Sequence, residues 1–143
     1  MTLDLSSSIE EVVADLEEGF ALFDDWEDRY RYLMDMGREL PELTPAEKVE
    51  ANLVPGCQSR VWFVPRLEDG RLYFRINSDA AIVQGLMALV LRVFNGRTPD
   101  EILAADTDFL TRLGLGEHIS LSRRNGVAAV LGRVQAAARA AQA

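Results

Sequence analysis

Apolar residues recur at helical spacing at both ends of the chain and alternate in its middle. Ile9, Val12, Val13, Leu16 and Phe20 share one face of a 3.6-residue repeat behind a Ser8–Glu11 capping box, which predicts a helix over residues 9–22. Asp24 or Asp25 caps a second helix carrying Trp26, Tyr30, Leu33, Met34 and Gly37 on one side, with Pro41 at or beyond its end. Thr44, Pro45 and Glu47 signal the start of a short third helix.

The middle changes period. Residues 61–67 (VWFVPRL) and 71–76 (RLYFRI) are strand-like, separated by Asp69 and Gly70. A two-residue Asp-Gly turn sets Leu67 opposite Leu72, Phe63 opposite Ile76 and Glu68 opposite Arg71. That register gathers Val61, Phe63, Pro65, Leu67, Leu72, Phe74 and Ile76 on one face, leaving Trp62, Val64, Arg66, Tyr73 and Arg75 on the other. A three-residue turn would instead join Trp62 and Val64 to Leu72, Phe74 and Ile76, and both registers stay open. Pro65 calls for a free strand edge. Leu53 and Val54 form a short strand that Pro55 and Gly56 break.

Helical spacing then returns. A helix over about residues 80–94, capped by Ser78 or Asp79, is apolar around most of its circumference and is expected to be central and buried. Asn95 and Gly96 stop it. Thr98, Pro99 and Glu101 open a short helix, Asp106 opens another that ends at Gly114, and a final helix from about residue 122 carries Val127, Val130, Leu131 and Val134. The order, helices then antiparallel strands then helices, is an α+β domain. One domain is expected over residues 1–143, with an ordered core at about 8–136 and fraying over 137–143.

Charge narrows the partners. The net charge is −8, but residues 1–50 hold fifteen acids against four bases, while residues 51–143 hold eight against eleven. The acidic first third repels phosphate backbones, so nucleic acid is not an expected partner. It reads as a solvated helix face or, more sharply, as a docking face for a basic protein. The most apolar run, residues 86–91, is far short of the roughly 20 residues of a membrane span, and residues 1–11 lack the basic start and apolar middle of a leader.

With one cysteine, Cys57, and one histidine, His118, the chain makes no internal disulfide, which fits a reducing cytoplasm. It also makes no multi-Cys/His zinc site and no four-cysteine cluster site, and no glycine-rich nucleotide loop is present. Cys57 sits in Pro55-Gly56-Cys57-Gln58-Ser59, a turn in which proline fixes one backbone angle and glycine frees the next. A thiol at such a tip can enter another protein's active site, and Arg60 nearby favours thiolate. Against this stand a buried structural cysteine, a cysteine hydrolase pairing Cys57 with His118 and orienting Asn125, and an inert interaction module. A lone thiol cannot run a dithiol cycle, but it can hold a group covalently and pass it on.

VPGCQSRVWF (residues 54–63) resembles the cysteine motif of SufE-type sulfur acceptor proteins. NSDAAIV (residues 77–83) with Gly85 and Leu86, NGRTP (residues 95–99), and Leu113, Gly114, Leu115, His118, Ser122, Arg123, Asn125 and Gly126 resemble further family segments, in order, over about residues 20–135. Leu121 stands where relatives often carry proline. The resemblance implies a three-stranded antiparallel sheet flanked by helices, as in IscU-type scaffolds, with residues 53–54 in the third strand. It implies that Cys57 accepts a persulfide sulfur from a PLP-dependent cysteine desulfurase (SufS- or CsdA-like), stimulates that enzyme, and delivers sulfur to a SufBCD-like iron–sulfur scaffold complex. The chain would then be a carrier rather than a stand-alone enzyme, binding no cofactor, with the PLP on the partner. A loaded Cys57 exposed to ambient thiols would lose its sulfur. The loop is therefore expected to fold back on Val61, Trp62 and the central helix, near the donors Arg123 and Arg60. Asp79 is read chiefly as a helix cap, and as a hold on the cysteine loop only in second place.

Overall fold

The computed structural model describes residues 7–142. Residues 1–6, part of the stretch read for a leader, and residue 143, the last of the expected frayed turn, lie outside the described residues. Helix α1 (Ile9–Ala21) starts at the Ser8–Glu11 box, and α2 (Trp26–Arg38) starts at Asp25, whose carboxylate accepts the Asp28 N–H at 2.8 Å. Thr44 and Glu47 cap each other as expected, but they close a single turn and no α-helix follows. Val49, 41% exposed, is already extended, and the turn has no apolar face to bury. The Glu47 carboxylate is instead drawn to Arg75 on the neighbouring strand.

Strands β1 (Val61–Glu68) and β2 (Arg71–Ser78) pair in the two-residue-turn register, Leu67 opposite Leu72 and Phe63 opposite Ile76. Asp69 and Gly70 both take positive φ, 51° and 75°, the geometry that matches the twist of a tight hairpin and closes the three-residue alternative. Val61, Phe63, Leu72, Phe74 and Ile76 are buried on the inner face. Pro65 and Leu67 share that face but overrun the core, Leu67 being 53% exposed.

Among the described residues the sheet has two strands, not three. Residues 53–54 supply only a bridge, Leu53 to Trp62, and a bond from the Val54 N–H to the Val61 carbonyl at 2.9 Å. Pro55, which has no N–H, and the turn at Gly56 lead the chain away before a ladder can extend.

Helix α3 (Ala81–Phe94) is the centre of the core, buried from Gly85 to Leu91 and packed by β2, α1, α2 and the last helix. Its approach to α2 depends on two glycines: a Cβ on Gly85 would lie 2.5 Å from the Leu33 carbonyl oxygen, and one on Gly37 would lie 2.7 Å from the Gly85 nitrogen. The short helices α4 (Pro99–Ala104) and α5 (Phe109–Arg112) follow. Helix α6 (Leu121–Gln142) then runs unbroken through the turns expected to fray, because Ala138 is fully buried and Ala137 and Ala141 pack on the core. No helix among the described residues is long and apolar enough to cross a membrane.

Candidate functional site

The turn that carries Cys57 is shaped by Gly56, whose φ of 89° suits glycine and few other residues. It leans on α6. Gly56 faces Ala129, and the Cys57 sulfur faces Gly126, three positions earlier on the same helix face. The S–H is directed at the Gly126 carbonyl oxygen, with Sγ 3.7 Å away. Cys57, Gln58 and Ser59 line a hollow of about 320 Å³, closed on the other side by Val83 of α3 and by Ser120, Ser122, Arg123 and Gly126.

The thiol is part-buried among apolar neighbours, and that burial pushes its pKa above the ordinary thiol value. The rim is of another character. Ser120 accepts the Arg123 N–H at the start of α6, and its hydroxyl lies 3.3 Å from that of Ser122. Ser120, Ser122 and Arg123, at the positive end of a 22-residue helix, therefore line the same hollow as the sulfur.

Expectation and structure differ most at Asp79. Helix α3 begins after Ala80 with no side-chain cap. The Asp79 carboxylate instead accepts the Arg60 N–H at 3.1 Å, and the Asp79 N–H returns to the Arg60 carbonyl at 3.3 Å. Asp79 thus clamps the downstream end of the cysteine loop. It is itself framed by Ser78, whose N–H donates to Gln84 at 2.7 Å, and by the buried Asn77, which accepts the Leu43 N–H and donates to the Pro41 carbonyl.

Of the expected donors, Arg123 reaches the hollow, whereas Arg60 does not line it and joins the loop through its backbone. In the unloaded protein the loop leans on α6 through Gly126 and Ala129, and Val83 of the central helix α3 faces it across the hollow, whereas Val61 and Trp62 do not line that hollow. His118 is not among the lining residues. Its ring stacks on Trp26 at 3.5 Å between centroids, and its carbonyl accepts the Tyr30 hydroxyl. Pro55 and Gln58 are exposed on the loop.

Sequence reasoning alone gives no role to Val83, Ser120, Gly126 or Ala129. The signal it offered was Gly126 itself, since a glycine inside a helix costs about 1 kcal/mol and points to a close neighbour.

These features define a class: a small α+β domain that presents a single thiol on a clamped loop over a hollow. The chain belongs to the family described as "SufE: Fe-S metabolism associated domain", whose model matches residues 14–138. It is 39% identical over 137 residues to an uncharacterized SufE-like protein of Rhizobium meliloti (strain 1021), covering 92% of this chain and 95% of that protein. It is 37% identical over 134 residues to a second uncharacterized SufE-like protein from Rhizobium etli, covering 90% and 88%. The solution structure of a hypothetical protein from Thermus thermophilus superposes with a TM-score of 0.76 at 25% identity, over 92% of this chain and 96% of that one.

Proposed function

We propose that this protein is a persulfide carrier in iron–sulfur metabolism, with Cys57 as the atom-bearing residue. In the transfer, the Cys57 thiolate attacks the outer sulfur of a persulfide on the donor's cysteine. A new S–S bond forms at Cys57, the donor's S–S bond breaks, and the donor leaves as a thiolate. One sulfur atom and no net electrons have moved: Cys–S–SH and Cys57–SH become Cys–SH and Cys57–S–SH. The donor is a PLP-dependent cysteine desulfurase, SufS- or CsdA-like, which this chain stimulates by clearing its product, and the receiver is a SufBCD-like scaffold complex.

One observation carries this reading: the lone thiol sits at the tip of a Pro-Gly turn, tucked into a hollow but tethered downstream through one exposed residue, Asp79. Tucked in, its thiol is held towards the protonated, less nucleophilic form. Swung out, it loses the burial that raises its pKa and becomes a better nucleophile. The loaded form is more acidic than a thiol, and on return its charge meets the Ser120, Ser122 and Arg123 rim.

The hydrolase reading has no comparable support, because the only histidine is stacked on Trp26 and does not line the hollow. The test is alanine release by a cysteine desulfurase supplied with cysteine. Added wild-type protein raises multiple-turnover release, and Cys57→Ser does not. Equal stimulation by the two forms rejects the carrier role.

A further inference from the structure

Gly126 occupies a helix interior without needing glycine's backbone, since it is not among the positive-φ glycines. A glycine there is less stable than alanine. Nor does the resting thiol require it. A Cβ built on Gly126 would sit 3.5 Å from the Cys57 sulfur and 4.0 Å from its Cβ, which is ordinary van der Waals contact. What a methyl group would remove is room for one more atom.

An outer sulfur bonded to Cys57 stands about 2 Å from Sγ. A methyl carbon 3.5 Å from Sγ would come within contact distance of it over every bond direction inside roughly 75° of the line to Gly126. Those directions form the α6 wall of the hollow.

We propose that Gly126 is the specificity-determining residue that keeps the hollow open for the second sulfur, so that the loop closes over the persulfide as well as over the thiol. This rests on the persulfide-carrier reading for its biological meaning but not for its test. Gly126→Ala admits the thiol and crowds the persulfide, and the loaded loop then stays open to ambient thiols. Gly132→Ala, on the same helix with nothing within 4 Å of its added Cβ, is the matched control for backbone effects.

Cys57 is loaded without any desulfurase, using inorganic polysulfide. The thiolate takes one sulfur and the polysulfide leaves one sulfur shorter. After desalting, glutathione is added, and it removes the outer sulfur as glutathione persulfide and restores the Cys57 thiol. Loss of the added mass is followed by intact mass spectrometry.

The expected result is about tenfold faster loss in Gly126→Ala than in wild type, the scale of effect overpacking produces, with Gly132→Ala at the wild-type rate. Iodoacetamide alkylation of the unloaded thiol should change by less than about twofold in either variant, since a Cβ at van der Waals distance leaves its seat intact. Equal persulfide lifetimes in wild type and Gly126→Ala overturn the proposal. So does a matching acceleration of thiol alkylation, which would show a loosened loop. Failure of a desulfurase to load Cys57, with the tenfold difference intact on polysulfide-loaded protein, would reject the carrier reading and leave the role of Gly126 standing.

Discussion

Asp79→Ala removes the acceptor that holds the Arg60 N–H at 3.1 Å and leaves the fold's core untouched, because Asp79 is exposed. A hydrogen bond to a charged acceptor contributes about 1.5–3 kcal/mol when sheltered, and solvent exposure brings the figure here to about 1 kcal/mol. The backbone bond from Asp79 to the Arg60 carbonyl and the Cys57 contact with Gly126 both remain. The loop therefore stays mostly closed, but its opening constant rises about fivefold. A reagent that reaches the thiol only through the open state reports that factor directly, so iodoacetamide alkylation at neutral pH should run about fivefold faster. Asp79→Asn keeps an acceptor oxygen without the charge and should fall between the two. The pH midpoint of alkylation moves as well. Burial raises the closed thiol, so releasing it shifts the midpoint downward, towards the ordinary thiol value. An Asp79→Ala protein with wild-type circular dichroism and a wild-type alkylation rate would refute the clamp.

Three further outcomes follow from the same geometry. Gly85→Ala places a methyl 2.5 Å from the Leu33 carbonyl oxygen and should lower stability by about 1–3 kcal/mol in urea unfolding. The Arg75 guanidinium, with the Thr44 N–H, holds the Glu47 carboxyl down to about 2, so its NMR titration should lie well below that of other glutamates and rise in Arg75→Ala. The pair's contribution to stability is therefore present above the ordinary carboxylate range and is lost as pH falls towards about 2. His118→Ala should leave sulfur loading of Cys57 within about twofold of wild type, because the ring touches Trp26 and not the hollow, and an abolished transfer would restore the hydrolase-type pairing.

Much of the architecture was legible because its signals are local. Capping boxes at Ser8 and Thr98 marked helix starts, and Asp69-Gly70 offered two registers, of which the structure takes the two-residue one that buries Phe63, Phe74 and Ile76. Cys57 stood out for its turn and its solitude. The misses are places where a distant residue decides. The Thr44 box reads like a helix start whether or not an apolar face follows. Asp79 looks like a cap until Arg60, nineteen positions away, presents its N–H. Residues 53–54 are as strand-like as any, but Pro55 leads the chain away after one bridge. The closing alanines look weakly held from composition alone, and their packing on the core is a tertiary feature that no local pattern carries. The seat of the thiol on Gly126 joins residues 69 positions apart, a pairing no local pattern carries.

The central claim is that Cys57 carries sulfur, and intact mass under non-reducing conditions reads it out directly. After incubation with cysteine and a PLP-dependent cysteine desulfurase, the protein should gain about 32 Da per sulfur, lose it on treatment with dithiothreitol, and gain nothing as Cys57→Ala. An unchanged mass with every desulfurase tried, or a gain that persists in Cys57→Ala, would contradict the account.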